Sequence, residues 1–406
     1  MLIALYLRQA DLDGEEARAL LGELRRSQPE SEGAEQIVTF TPAGKRMALP
    51  LEDGAEHSML FPVPEGTFDV VVVSPQLRFF TNEWSRAFLA QLVSSLRPSG
   101  SLWVPILSKR GDDGLWSERW LTQTLGVKAS LATSLPLLRF DRIPALSPAS
   151  SILEWYFREH AAAMVEDYLY STSGAPQIAE PQPKAAPVAR TIAGEVADSV
   201  PFASHLERFA STMTYSVTGA SYKSMLLSYI LEKELPGRTG LRVLDMGGGM
   251  GMVATELVLT SGRVDQATVC DPLARNSLVM ARLGRFFGER VQDRLELRIS
   301  RAEDFRYPGA FDLITFIGSL LYVPREARQQ VIASAFDALA PGGLLVVHEN
   351  IKSPTYTKDF DVMFSVEEID ALLGKYGRIE RYLSTATRAV TREAAGSKTV
   401  FRSVRK

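Results

Sequence analysis

Cysteine and histidine are scarce in this chain of 406 residues. Cys270 is its one cysteine, and the four histidines, at positions 57, 160, 205 and 348, are scattered without the spacing of metal ligands. A single thiol cannot form an intramolecular disulfide, and this pattern predicts no Cys-rich or His-rich metal site. We therefore expect a cytoplasmic protein that works without a bound metal.

The chain also has only a small net charge and lacks long hydrophobic runs. The 45 basic and 48 acidic residues leave a formal charge of -3, so charge gives no reason to expect DNA, RNA or an anionic membrane as partner. The apolar start of the chain is about six residues long, without a basic lead or a cleavage site, and fits a β-strand better than a signal peptide or membrane span. We expect a small-molecule acceptor as partner and leave a homodimer open.

One pattern occurs twice. "FDVVVVS" begins at Phe68 and "FDLITFI" at Phe311, and each is followed by a helical run and a proline-glycine turn 30 residues after its Phe. Apolar strands that alternate with helices are typical of parallel sheets. The equal spacing predicts an α/β protein with two Rossmann-like doubly wound sheets in tandem, each mostly parallel with an antiparallel terminal strand.

The two copies are separated by a segment rich in proline and alanine, Ser171 to Ser199. Such a segment cannot bury enough apolar surface to offset its ordering entropy. We therefore predict domains at residues 1–170 and 200–406 with a linker at 171–199. In the first copy, "SILEWYF" is interpreted as the closing strand. In the second, "RIERYL" and "KTVFRSV" are interpreted as a terminal hairpin.

The stretch "LRVLDMGGGMGMVATEL" carries the clearest functional signal. An apolar strand runs into Asp245, and Gly247, Gly249 and Gly251 follow before a helix begins. Glycines allow a sharp turn and a close approach of ligand to backbone, and the helix start offers N–H donors. Asp271 ends the next strand, where a carboxylate can accept hydrogen bonds from ribose hydroxyls. This spacing predicts a nucleotide-type cofactor site.

Three interpretations of this site are compared. "GMGMVA" can be fitted to the dinucleotide pattern, which keeps an NAD-type oxidoreductase open, and a glycine-rich turn without a ligand is the plainest alternative. However, Asp245 would repel a pyrophosphate and would favour a cofactor with an ammonium and a sulfonium group. The sequence therefore favours S-adenosyl-L-methionine as the cofactor.

From about Tyr215 to its end, the chain resembles the class I S-adenosylmethionine-dependent methyltransferases. "DMGGGMG" is similar to the signature of small-molecule O-methyltransferases, and "RAEDF" resembles the segment that lies against adenine, which implies contacts from Asp304 and Phe305. The basic histidine of those enzymes is absent, because the matching position falls at Leu321. The N-terminal half also lacks their all-helical dimerisation domain.

The resemblance implies methyl transfer to an oxygen or nitrogen of a small molecule. Residues at the carboxyl ends of the fourth and fifth strands are the catalytic candidates, namely Tyr322, His348 and Glu349. Each has a simpler interpretation: Tyr322 as a pocket wall, His348 as a hydrogen-bonded core residue and Glu349 as a loop brace. A non-catalytic scaffold or sensor that binds S-adenosylmethionine stays open.

The first copy is interpreted as a degenerate methyltransferase-like domain without the cofactor motif. Its first loop, "RQADLDGEEA", has Gly14 alone where several glycines are needed, and "QIVTFT" ends without an acid. We expect a pseudo-domain that serves packing, substrate enclosure or partner binding. Two unrelated α/β domains are the alternative.

Overall fold

The structure is a computed structural model. It describes residues 1–6, 15–27, 35–41, 51, 56–59, 63–73, 82–105, 114–131, 137–146, 151–174, 200–307, 309–351, 363–382 and 399–406. Residues 175–199 of the linker predicted at 171–199, and Gly14, lie outside these residues, so both interpretations remain predictions.

The chain divides into two compact units. The first extends from Met1 to Tyr168 and takes in the start of a long helix, Val200–Glu234, up to Met213; the second includes this helix from Thr214 onward and the rest of the chain. The predicted boundaries at 170 and 200 remain predictions.

The first unit contains one sheet and four helices among its described residues. Its strands are β1 (Leu2–Tyr6), β2 (Gln36–Thr41), β3 (Glu56–Ser58), β4 (Phe68–Val73), β5 (Leu96–Pro105), β6 (Ser130–Leu131) and β7 (Leu137–Asp141). Its helices are α1 (Glu15–Ser27), α2 (Asn82–Ser94), α3 (Glu118–Leu125) and α4 (Ser151–Thr172). The strand order is β3-β2-β1-β4-β5-β7-β6, with β7 antiparallel to β5.

The long helix, α5 (Val200–Glu234), leads into the second unit. Its strands are β8 (Leu241–Met246), β9 (Val264–Asp271), β10 (Leu295–Ile299), β11 (Phe311–Ile317), β12 (Leu339–Asn350), β13 (Ile379–Tyr382) and β14 (Thr399–Arg405). Its helices are α6 (Met252–Thr260), α7 (Asn276–Phe287), α8 (Arg328–Asp337) and α9 (Val366–Leu373). The strand order is β10-β9-β8-β11-β12-β14-β13, with β14 antiparallel to β12.

The two sheets therefore have the same topology, strand for strand. This confirms the prediction of two doubly wound sheets in tandem, each mostly parallel with an antiparallel terminal strand. The predicted hairpin is present as β13 and β14. None of the helices in the described ranges is both long and apolar enough to cross a membrane.

A repeated contact supports the correspondence of the two copies. The aspartate of each FD pair accepts a hydrogen bond from the first strand of its own sheet: Asp69 from the N–H of Leu2 at 2.7 Å, and Asp312 from the N–H of Arg242 at 2.9 Å. Such agreement in side-chain detail goes beyond a shared strand order.

The turns before β5 and β12 are also built alike. A Cβ on Gly100 would lie 3.0 Å from the carbonyl oxygen of Asp69, and a Cβ on Gly343 would lie 3.2 Å from that of Asp312. Each turn brings backbone against backbone, so glycine is required at both places. The duplicated spacing in the sequence thus reflects a duplicated local structure.

One strand prediction was wrong. "SILEWYF" lies in helix α4, and the reversed strand of the first sheet is β7, of sequence LLRFD. Residues Ile152, Leu153, Trp155, Tyr156 and Phe157 are all buried. Because the first turns of this helix are buried on most sides, their apolar residues do not recur with a helical period. Such an apolar run cannot be distinguished from a buried strand by sequence alone.

Strand register shows which residues correspond at the carboxyl edges of the two sheets. The residue four positions after the Phe of each FD pair is Val72 in β4 and Thr315 in β11, and these pair with Leu5 and Asp245. The first copy therefore carries Leu5 where the second carries Asp245.

The second strands can be aligned in the same way. Phe40 is the last residue of β2 that pairs with β1, and Cys270 is the last residue of β9 that pairs with β8. The next residues, Thr41 and Asp271, therefore correspond. As the sequence indicates, the first copy has no acid at this position.

Candidate functional site

The site lies in the second sheet, at the carboxyl ends of β8 and β11. The strand order reverses between these two strands, and ligands of doubly wound folds bind at such a switch point. Asp245 is the penultimate residue of β8, and Thr315 of β11 donates a hydrogen bond to its Oδ1 at 2.7 Å.

Asp245 is buried, and its second oxygen, Oδ2, has no hydrogen-bond partner among the described residues. Burial raises the pKa of this carboxyl to about 6, against the opposing effects of the Thr315 hydroxyl and the charge of Lys223. An unsatisfied buried acceptor is costly, and a bound cation or donor would relieve that cost.

The glycine loop after Asp245 owes its shape to left-handed backbone. Gly247, Gly249 and Gly251 have φ angles of 68°, 55° and 73°. Their N–H groups donate within the protein, to the Cys270 carbonyl, the Asp271 carboxylate and the Gly248 carbonyl. These three predicted glycines therefore allow the left-handed backbone of the loop and leave space beside it, and their N–H groups are not free to bind a ligand.

Gly248 was not singled out from the sequence, yet it is tightly enclosed beside Asp245. A Cβ here would lie 2.6 Å from Oδ2 of Asp245 and 2.9 Å from Cγ1 of Val269. Its φ is not positive, so this glycine is required for close packing, which no spacing rule shows. A Cβ on Gly247 would in turn collide with the side chain of Ser319.

Asp271 stands at the end of β9, as predicted, and it organises the loop beside it. Its Oδ2 accepts the N–H of Gly249 at 2.9 Å, and its Oδ1 accepts from the N–H of Leu273 and the side chain of Asn276, both at 2.9 Å. Burial raises the pKa of this carboxyl, and the three donors oppose that shift. One acceptor position on Oδ2 remains for a ribose hydroxyl.

The predicted adenine contacts differ from each other. Asp304 is exposed after β10, while Phe305 is buried in the core beside Cys270 and packs edge-to-face on Tyr307 at 5.0 Å. Phe305 therefore supports the floor of this region. Whether either residue touches adenine stays a prediction.

Glu349 is fully buried near the end of β12. Its Oε1 accepts the N–H of Leu320 at 2.6 Å and so braces the turn after β11, while no described residue hydrogen-bonds to its Oε2. Burial raises the pKa of Glu349 to about 7, opposed by the backbone donors of this turn and by the charge of Lys223. Oε1 therefore braces the loop, as the simpler interpretation expects, while Oε2 is left able to accept a proton or a hydrogen bond.

His348 is the neighbour of Glu349 and lies on the opposite face of the strand. It is buried, its ring packs on Phe401 at 4.2 Å, and neither ring nitrogen has a partner in the described structure. Burial lowers the pKa of His348 to about 3, and the charge of Lys223 acts in the same direction. At neutral pH this imidazole is uncharged and is a weak proton acceptor.

Tyr322 closes a short 3-10 turn, Leu320–Tyr322, and its side chain is 81% exposed. The ring is therefore at the surface and not in the core. The Glu349 carboxylate holds the start of this turn and thereby fixes where Tyr322 stands. Its catalytic role stays a prediction.

Lys223, on helix α5, is a site residue that the sequence reasoning missed. Its charge acts on both Asp245 and Glu349, which stand on two different strands, and on His348. Burial lowers the pKa of this lysine, and the two carboxylates oppose that shift. A lysine in a helix 22 residues before Asp245 carries no local signal of such a position.

The arrangement favours a ligand that carries positive charge. Asp245 and Glu349 each present an unsatisfied buried oxygen, and the glycine loop leaves open space in front of Gly249. These features fit the cationic, amino-acid end of S-adenosylmethionine and disfavour a pyrophosphate. Within the described ranges no cluster of His, Cys, Asp and Glu could hold a metal ion.

Comparison with known proteins points the same way. Residues 220–377 match a family model described as a methyltransferase domain. The ubiquinone/menaquinone biosynthesis C-methyltransferase UbiE of Rhizobium meliloti is 31% identical over 129 residues, which are 31% of this chain and 48% of that protein. The carboxy-S-adenosyl-L-methionine synthase of Chromohalobacter salexigens is 31% identical over 36% of this chain and 53% of that protein.

Among solved structures, the N-methyltransferase NodS of Bradyrhizobium japonicum is similar, with 17% identity and a TM-score of 0.35 over 46% of this chain and 97% of that chain. The chain spans about half the length of the two sequence relatives. The family match confirms the resemblance to S-adenosylmethionine-dependent methyltransferases, which was stated from "DMGGGMG" and its surroundings. It lies in the unit that carries the site.

Proposed function

We propose that this methyltransferase domain transfers a methyl group from S-adenosylmethionine to an oxygen or nitrogen of a small-molecule acceptor. One observation carries the proposal: Asp245, buried and unsatisfied at Oδ2, stands at the switch point beside a glycine loop that is hydrogen-bonded to Asp271. S-adenosylmethionine, when bound, supplies a methyl group that is already activated as a sulfonium.

The protein's own contribution is mainly positioning. Asp271 would accept from the ribose, Asp245 would face the cationic end of the cofactor, and the glycine loop would admit it. The acceptor would enter beyond the ends of β11 and β12, where Tyr322 is exposed.

A phenol or alcohol must lose a proton, so a base is needed for those acceptors. Glu349 is the best candidate, because its free Oε2 and a pKa of about 7 suit proton uptake near neutral pH. His348, with a pKa of about 3, is much less suited. An amine acceptor would need only desolvation.

A second candidate is transfer to carbon. The matched relatives include a protein named as a C-methyltransferase of ubiquinone and menaquinone biosynthesis. A carbon nucleophile on an electron-rich ring also needs a proton removed, which Glu349 could accept. The two candidates share the cofactor site and differ only in the acceptor.

The test begins with calorimetry of the full chain against S-adenosylhomocysteine and against NADH. We expect binding of the first alone; binding of NADH alone would reject the proposal in favour of an oxidoreductase. The second step is incubation with methyl-labelled S-adenosylmethionine and three acceptor sets, phenols, amines and quinols, read by mass spectrometry. Cofactor binding without transfer to any acceptor would instead favour a sensor or scaffold.

A further inference from the structure

Thr315 is a buried polar residue in the middle of β11, and its hydroxyl lies beside the carboxylate of Asp245. The two residues pair directly in the register of β11 and β8. Oγ1 of Thr315 lies 2.7 Å from Oδ1 of Asp245 and 3.5 Å from the carbonyl oxygen of Leu244. A hydroxyl carries a single hydrogen, and the shorter bond to a charged acceptor is the stronger one. Thr315 therefore donates to the carboxylate.

This hydrogen bond determines how the two oxygens of Asp245 are used. Oδ1 is held on the side of β11, whereas Oδ2 is directed toward the glycine loop, since a Cβ on Gly248 would lie 2.6 Å from it. Oδ2 is also the oxygen to which no described residue hydrogen-bonds. The carboxylate is thus anchored through one oxygen and presents the other to the loop where the cofactor is proposed to bind.

The donor is well suited to fixing an orientation. A threonine side chain is branched at Cβ, so its χ1 angle is restricted and its hydroxyl has few alternative positions. Thr315 and Asp245 are both buried, so water does not compete for the hydrogen bond between them.

The first sheet shows that this fold does not require a hydroxyl at the corresponding position. Val72 corresponds to Thr315, and it pairs with Leu5, which corresponds to Asp245. Valine has nearly the shape of threonine, and Val72 and Leu5 are buried in one hydrophobic cluster. The sheet that lacks the acid also lacks the hydroxyl, and a role of the hydroxyl that depends on the acid explains why.

Resting on the proposed function, we propose that Thr315 is a positioning residue that orients Asp245 and so directs its Oδ2 to the cationic end of the cofactor. It acts through Asp245 and does not itself contact the cofactor. Because the hydroxyl donates to the charged form of the acid, it also opposes the effect of burial on the pKa of Asp245. Loss of the hydroxyl should therefore both misorient the carboxylate and make it harder to ionise.

The test is calorimetry of the full chain with S-adenosylhomocysteine at pH values above and below the Asp245 pKa of about 6. At neutral pH, Thr315→Val should bind about 10-fold more weakly, the scale of one hydrogen bond to a charged group. The pH at which affinity is lost on acidification should also move upward, because the acid of the variant takes up its proton more readily. Thr315→Ser keeps a hydroxyl and should restore both the affinity and the pH profile.

Thermal unfolding shows whether each variant is folded, and Thr315→Ala removes the same hydroxyl if the valine variant does not fold. Thr268→Val is the matched control. Thr268 is a buried threonine of β9 whose hydroxyl lies 3.5 Å from Oε2 of Glu296. Its substitution should change neither the affinity nor the pH profile.

A second comparison shows whether Thr315 acts through Asp245. Among the described residues, Lys223 of α5 and Asp271 of β9 also act on the charge of Asp245, and Asp245 acts on Cys270 of β9. These groups are the same in all the variants. Since asparagine does not titrate, Thr315→Val added to Asp245→Asn should leave the pH profile of Asp245→Asn unchanged. A further shift in the double variant would overturn the inference.

The single variants can overturn it as well. A loss of affinity in Thr315→Val without a shift in the pH profile, or without rescue by serine, would show a merely structural role. Unchanged affinity in Thr315→Val would show that the hydroxyl is not needed at all. Failure of the wild type to bind S-adenosylhomocysteine would instead reject the proposed function.

Discussion

The backbone N–H of Gly249 donates to Oδ2 of Asp271 at 2.9 Å, which joins the glycine loop after β8 to the acid that ends β9. The acid predicted to hold the ribose therefore also holds the loop predicted to admit the cofactor. The two halves of the motif form one hydrogen-bonded unit before any ligand arrives, so the cofactor would meet a preorganised site.

The first prediction concerns Asp271. Asp271→Ala should weaken S-adenosylhomocysteine binding by about 1–3 kcal/mol, because it removes the ribose acceptor and leaves the N–H of Gly249 without its partner. Calorimetry measures the affinity, and thermal unfolding shows whether the variant is folded; Asp271→Asn keeps the shape if alanine does not. Asp265→Ala, at an exposed position of β9, is the control. Unchanged affinity in the alanine variant would place the ribose elsewhere.

The second prediction concerns Gly248. Gly248→Ala places a Cβ 2.6 Å from Oδ2 of Asp245, so the loop must shift. We expect a loss of about 1–3 kcal/mol in the free energy of unfolding, as for other overpacked sites, together with weaker cofactor binding. Gly284→Ala is the matched control: this helical glycine has nothing within 4 Å of its Cβ position. That change should stabilise the protein by about 0.5–1 kcal/mol. Equal effects of the two substitutions would contradict the packing argument.

The order of the strands could be predicted because the signals are local and repeated. "FDVVVVS" and "FDLITFI" are apolar runs with the same turn 30 residues downstream, and both lie next to the first strand of their sheets. Helix α4 could not be predicted, since its buried first turns lack the period that separates helix from strand. Its continuation to Thr172 shows its type only when 22 residues are considered together.

The sequence could predict those site residues that lie at the ends of apolar strands. Asp245 and Asp271 were found because acids at the ends of apolar strands are unusual. Gly248 was missed because its role depends on its distance from Asp245, and Lys223 was missed because its charge acts on acids of two other elements. Thr315 did leave a signal, as a polar residue inside the apolar "FDLITFI".

The third prediction concerns pH. Burial raises the pKa of Glu349 from its ordinary value of 4.5 to about 7. Between these values the folded chain binds more protons than the unfolded chain, so stability from this group is lost as pH rises through the window. Glutamine does not titrate and can keep the contact with Leu320. Glu349→Gln should therefore become more stable relative to wild type as pH rises from 4.5 to 7.

Urea unfolding of both proteins at several pH values measures this difference. The comparison is needed because other groups at this edge also titrate: Asp245, with a pKa raised to about 6, acts in the same direction, and His348, with a pKa lowered to about 3, in the opposite one. The pKa of Lys223 is lowered by burial, and its charge acts on all three of these groups. A stability difference that does not vary with pH would show that Glu349 titrates as it does in the unfolded chain.

The last prediction is that the full chain binds one cofactor and not two. Thr41 stands where the second sheet has Asp271, and Leu5 stands where it has Asp245. A hydroxyl cannot replace a carboxylate that holds a loop and is expected to hold a ribose, and Leu5 is packed in a hydrophobic cluster with Val72. The shared topology therefore preserves a fold without preserving a site.

Calorimetry of the full chain with S-adenosylhomocysteine should give a stoichiometry of one. Thr41→Val and Asp271→Asn form a matched pair of substitutions at corresponding positions of the two sheets. The first should leave affinity and stoichiometry unchanged, even if it alters stability, while the second should weaken the single binding event. Because both variants retain the full chain, neither depends on an isolated unit folding alone. A stoichiometry of two, or weaker binding in Thr41→Val, would show that the first sheet takes part in holding the cofactor.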